Sequence, residues 1–76
     1  MTYQPTEREL TILTAWWVAK GSGSRASRLL GIQQQSVRNA LYQFRRYEHV
    51  ETSFDLAVRY MDEIQARKWA LVGRAA

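Results

Sequence analysis

Four side chains within six residues, Gln34, Gln35, Arg38 and Asn39, hold the densest hydrogen-bonding chemistry in this sequence. Amides of glutamine and asparagine pair bidentately with adenine, and a guanidinium pairs with guanine, along base edges in the major groove of duplex DNA. Covalent and metal chemistry have far less to draw on. The chain has no cysteine and one histidine, His49, and its carboxylates avoid the stretch where the amides and arginines gather. That distribution argues against an enzyme and calls for no metal and no cofactor. His49 reads as a turn or cap residue.

Presenting those four groups together requires a helix, and the apolar spacing supplies one over 34–47. Val37, Ala40, Leu41 and Phe44 form its inner stripe. At about 100° per residue, the face opposite Val37 carries Gln35, Asn39, Tyr42 and Arg46, flanked by Gln34, Arg38 and Arg45. Gln34, Gln35, Arg38 and Asn39 lie nearest the helix start, the end that a recognition helix directs at bases. Phosphate contacts are expected from Ser36, Tyr42, Arg45 and Arg46, and from Lys20, Ser22, Ser24, Arg25 and Arg28 ahead of them, where a helix start adds backbone amides.

The elements around this helix follow from turn and cap residues. Thr6 and Glu9 make a capping box that opens a helix over 7–20, apolar round more than half its girth and therefore expected to run through the core. Gly21 is its expected stop. The Gly21-Ser22-Gly23-Ser24 connector lacks the Gly-Lys-Ser/Thr ending of a phosphate-binding nucleotide loop, and leads into a short helix over 25–30. Gly31 ends that helix by a left-handed turn. Small residues at Ala26 and Ser27, with Leu30, Ile32 and Val37 closing a small core, have the sizes and spacing of a helix-turn-helix. A last helix over 54–72, opened by Thr52 with Asp55 and stopped by Gly73, carries the stripe Phe54, Ala57, Val58, Met61, Ile64 and Val72, widened by Trp69 and Leu71.

Charge sharpens the picture. The net charge is +4, yet no aspartate or glutamate occurs from Leu10 to Tyr47, where Lys20, Arg25, Arg28, Arg38, Arg45 and Arg46 all lie. A one-signed zone between acidic ends is the footprint of a polyanion-binding surface. Seventy-six residues make one domain, spanning 1–76. A domain of that size buries only roughly 60% of its unfolded surface, so packing against a second copy is an expected supplement. The chain has no membrane-length apolar run and no signal-peptide pattern, and a cytoplasmic location is expected. Nine arginines against two lysines suit a GC-rich genome, bacterial or phage.

The run from Pro5 to Ile64 resembles the DNA-binding domain of LuxR-type (GerE-like) transcription regulators. The resemblance is carried by Thr6, Arg8 and Glu9, by Leu30-Gly31-Ile32, by Ser36-Val37-Arg38, and by Ala57-Val58. It departs from that family at Ala26-Ser27, smaller than the usual pair, and at Gln33, where a serine cap is usual; the Trp16-Trp17 pair is expected to fill the space beside Ala26. What it implies is an all-α, four-helix domain with a long C-terminal helix, a transcription regulator binding double-stranded DNA as a homodimer. Met61, Ile64, Lys68, Trp69 and Val72 are then the expected dimer contact. Region 4 of RNA polymerase sigma factors has a similar layout, which makes RNA polymerase a further candidate partner. The rival reading is a helix-turn-helix adaptor that docks on the transcription machinery or another regulator.

Overall fold

A computed structural model describes residues 3–75 of the chain, with side chains through Gly73. The ends of the expected domain, Met1, Thr2 and Ala76, lie outside the described residues. Five helices and no strand occur among them: α1 (Glu7–Val18), α2 (Gly23–Leu30), α3 (Gln34–Glu48), α4 (Ser53–Arg59) and α5 (Met61–Ala75). The all-α class holds, and the four-helix count does not.

Three of the helices start on a side-chain cap. Thr6 Oγ1 accepts from the Glu9 amide at 3.1 Å while Glu9 Oε1 accepts from the Thr6 amide at 2.9 Å, the expected capping box. Ser22 caps α2 and Thr52 caps α4, accepting from the amides of Arg25 and Asp55 at 3.1 and 3.0 Å. Gln33 precedes α3 with no side-chain cap.

Helix ends are equally regular. α1, α2 and α3 each close with the paired bonds of a Schellman motif, in which the residue just past the helix sits in the left-handed region. Those residues are Lys20 (φ 57°), Gly31 (φ 67°) and His49 (φ 55°). Gly21 had been the expected stop of α1, but the turn comes one residue earlier, at Lys20, and Gly21 (φ 82°) extends it. A Cβ at Gly21 would meet the Trp16 ring at an ordinary contact distance of 3.4 Å, so it is the positive φ that favours glycine here.

α1 packs against all four other helices and contributes Leu10, Ile12, Leu13 and Ala15 to the core, as its girth of apolar residues implied. Its buried Thr14 hydroxyl donates to the Leu10 carbonyl at 2.7 Å and leaves nothing unpaired. Ala26 and Ser27 are buried on α2, where their small size lets its neighbours approach. Val37, Leu41 and Phe44 point inward from α3 as expected. Trp16 lies against Gly21, and the Trp17 ring is 6.1 Å from that of Phe54.

The expected long C-terminal helix is the main correction. It breaks at Tyr60 (φ −111°, ψ 28°) into α4 and α5, and α5 runs past Gly73 to Ala75. A straight helix over 53–75 would measure about 34 Å against about 18 Å for α1. The break keeps both pieces on α1. It also re-sorts the apolar stripe: Leu56, Ala57, Ile64 and Leu71 are buried, while Phe54, Val58 and Val72 face solvent.

An ion-pair clamp joins the first helix to the last. Arg67 donates Nε and Nη2 to the two Glu7 carboxylate oxygens at 2.6 and 3.1 Å, and Nη1 to Glu63. The hydrogen bonds from Arg67 lower the Glu7 pKa below its ordinary 4.5, against an opposing effect of desolvation. A depressed carboxylate stabilises the fold fully above its ordinary value and loses that contribution as pH falls through the lowered one. Wild type and Glu7→Gln should therefore differ in urea midpoint at neutral pH and converge in acid, as pH falls through the lowered Glu7 value. Because Glu7 is exposed the gap is small, and a gap that persists unchanged in acid would rule the clamp out.

Candidate nucleic-acid interface

α2 and α3 are joined by the Gly31 turn. The Ile32 and Gly31 amides donate to the carbonyls of Ser27 and Arg28 at 3.1 and 3.3 Å, which stops α2 and turns the chain into α3 within three residues. Leu30 and Ile32 pack, partly buried, against the core of which Val37 is a buried member.

α3 then presents its polar face outward. Gln34, Gln35, Arg38 and Asn39 are all exposed, and Gln35 Nε2 donates to Asn39 Oδ1 at 3.0 Å, one turn along. Gln34, Arg38, Asn39, Tyr42 and Arg45 line one wall of a groove of about 540 Å³; its other wall includes Trp16, Gly21, Gly23 and Ser53. Trp16, Gly23 and Ser53 were not singled out from sequence as part of this surface. Nothing local marks them, since they reach it only through the packing of α1, α2 and α4 beside α3.

Arg45 is more constrained than its neighbours. It is partly buried, and its Nη1 donates to the Ser53 hydroxyl at 2.7 Å, which ties the start of α4 to the second half of α3. The remaining donors of its fork stay available. Tyr42, about half exposed, has the Arg45 and Arg46 guanidinium carbons 6.0 and 5.8 Å from its ring centre, near the limit of cation–π attraction. Ser36 lies in the first turn of α3, partly buried.

The α2 residues form a second, smaller group. Arg25 and Arg28 are exposed; Arg28 Nη2 donates to Ser24 Oγ at 3.3 Å, and the Ser24 carbonyl accepts from Ser27 Oγ. The Ser22 hydroxyl oxygen is taken up in capping α2, so only its proton is left to offer an anion. Lys20 does not join either group, because the left-handed turn places it in a different groove, between α1, α4 and α5.

The electrostatics separate by position. Among the described residues, none of Lys20, Arg25, Arg28, Arg38, Arg45 and Arg46 forms an ion pair. The pairs that exist hold Glu7 and Glu63 to Arg67, and Glu48, buried at the C-terminal end of α3, to Arg59. A surface with unpaired cations and no carboxylate carries a positive potential into solvent.

Of the residues expected at a dimer contact, Ile64 is wholly buried in the domain core, so it has no surface to offer a second copy. Met61 and Lys68 are partly buried, and Val72 and Trp69 are exposed, Trp69 by 69%. No group of three or more histidine, cysteine or acidic side chains able to hold a metal occurs among the described residues. No helix there is long and apolar enough to cross a membrane. Comparison of the chain with protein-family models, with curated proteins and with solved structures finds no match.

Proposed function

We propose that this chain is a helix-turn-helix transcription regulator that binds double-stranded DNA sequence-selectively, with α3 in the major groove. The observation that carries the reading is the unpaired, acid-free cluster of Arg25, Arg28, Arg38, Arg45 and Arg46 around an exposed row of amides at Gln34, Gln35 and Asn39. Cations without internal partners neutralise phosphates at little cost, and amides one turn apart on a helix reach neighbouring base edges. Gln34, Gln35, Arg38 and Asn39 read bases in this proposal. Ser36, Tyr42, Arg45 and Arg46 hold the near backbone, and Ser22, Ser24, Arg25 and Arg28 the far one. The LuxR-type resemblance points the same way and adds a homodimer, for which exposed Trp69 on α5 offers a surface. It also implies a bacterial or phage regulator working in the cytoplasm.

Fluorescence anisotropy of mixed-sequence duplexes across a salt series tests this directly. Binding should weaken steeply as salt rises, with a slope near −0.9 per neutralised phosphate. Once a preferred site is selected, Arg38→Ala should cost about 1–3 kcal/mol there and relax the choice of base at one position. An equal loss on every sequence would make Arg38 a phosphate contact instead. No duplex binding at low salt would replace this reading with a protein-docking adaptor, which the exposed Phe54, Val58 and Trp69 would serve.

A further inference from the structure

We propose that the groove between α1, α4 and α5 is a binding site for a small organic anion with an apolar, ring-sized body and a single carboxylate. The groove is open to solvent along its length and offers about 550 Å³, a volume within the range of roughly 300–1,000 Å³ typical of small-molecule sites. Trp16, Trp17, Phe54 and Val72 make its walls. The Trp17 and Phe54 rings pack on each other, centres 6.1 Å apart at 35°, and together give the groove a broad aromatic wall. Phe54 and Val72 remain 56% and 40% exposed, so this apolar surface lacks a cover in the folded chain.

Charge selects the occupant. The chain has two lysines against nine arginines, and both of them, Lys20 and Lys68, line this one groove. No carboxylate lines it, and neither lysine forms an ion pair among the described residues. Lys20 is held at the groove by its left-handed backbone, φ 57°, a conformation that costs free energy for any residue with a side chain. The Lys68 ammonium lies 4.9 Å from the centre of the Trp69 ring, on a flexible stem that can turn toward a bound anion. Compact ammonium charges on residues lining an apolar groove favour one carboxylate on an otherwise apolar ligand. A second copy of the chain fits poorly here, because a two-fold contact across the groove would bring four ammonium groups together with no acid to meet them. The site does not depend on the DNA reading: it adjoins the α3 groove, sharing Trp16 and Gly21 with it, but none of its lining residues belongs to α3.

The test titrates the full chain with 2-naphthoate and, separately, with neutral 2-naphthamide, by calorimetry and by the amide and indole N–H resonances. Naphthoate should saturate at one per chain and bind at least about tenfold more tightly than the amide. Its shifts should centre on the Trp16 and Trp17 indoles and on Phe54. The Lys20→Gln/Lys68→Gln double variant, with its folded spectrum verified, should erase that preference while leaving the amide's affinity unchanged. Equal affinities for the two probes, shifts centred on α3, or a preference that survives the double variant would each overturn the proposal. So would an acidic amphipathic peptide that perturbs the same indoles where naphthoate does not, since the groove would then belong to a partner helix.

Discussion

Phe44→Ala is expected to remove about 3–5 kcal/mol of stability, the range for truncating a fully buried phenylalanine. Phe44 is 0% exposed, and its ring lies 5.2 Å from that of Tyr60 and 6.2 Å from that of Tyr3, so one side chain links α3 to the α4–α5 break and to the N-terminal segment. Removing it opens a cavity that three separate elements would have to move to fill. A domain of this length holds about 4–11 kcal/mol in all, at roughly 0.05–0.15 kcal/mol per residue. The variant should therefore lose on the order of half its stability. With a urea dependence near 1 kcal/mol per molar, the midpoint should drop by about 3 M or more. A shift below about 1 M would mean that the core is centred elsewhere.

The second large effect is expected at Arg59. Glu48 closes α3 with a carboxylate that is only 6% exposed, at the helix end where the backbone dipole disfavours negative charge. Two consecutive residues offset that burial. Arg59 Nη1 donates to Glu48 Oε1 at 3.0 Å and to the Glu48 carbonyl at 2.8 Å, and the Tyr60 hydroxyl donates to Oε2 at 2.7 Å. Arg59→Ala strips the carboxylate of its cation and the helix end of its cap, at a cost of about 1.5–3 kcal/mol. The half-exposed position of Arg59 keeps the figure below that of a fully buried pair. Glu48→Gln should cost less, because an amide leaves no uncompensated charge. If both variants lose the same amount, charge is not what Arg59 supplies.

The same network has an alkaline limit. Burial pushes the Tyr60 hydroxyl up to about 12, and its bond to Glu48 acts in the same direction. A raised pKa stabilises the fold fully below the ordinary value of 10.0 and loses that contribution as pH rises through about 12. Tyr3 behaves alike, held up at about 12 by burial and by its bond to Glu9.

Much of this was legible in the sequence wherever the cause is local. Thr6 with Glu9 and Thr52 with Asp55 act within three residues, so their spacing is their structure; Ser22 caps Arg25 in the same way and starts α2 two residues ahead of the expected 25. Gly31 and the stripe of Val37, Leu41 and Phe44 are local in the same sense. The amide row on α3 follows from that stripe by rotation alone. The break at Tyr60 is different, since neither glycine nor proline marks it. Consecutive residues on an unbroken helix diverge by about 100°, yet Arg59 and Tyr60 both reach Glu48, eleven and twelve positions away. The left-handed Lys20 misleads for a related reason, because a glycine next to it is the residue that such turns usually take. Lys20's place away from the α3 face, and the burial of Ile64, both follow from these two turns.

The pairing of α1 with α5 also bears on how the chain is made. These helices form the most extensive contact in the domain, and their Arg67–Glu7 clamp spans 60 residues. A twelve-residue helix such as α1 is marginal on its own in water. During synthesis at about 5–20 residues per second, some 3–12 s separate the appearance of Glu7 from that of Arg67. Through that interval Leu10, Ile12 and Leu13, all buried in the finished domain, wait for the helix with which α1 makes its largest contact, and the fold cannot close until the last of the chain is made.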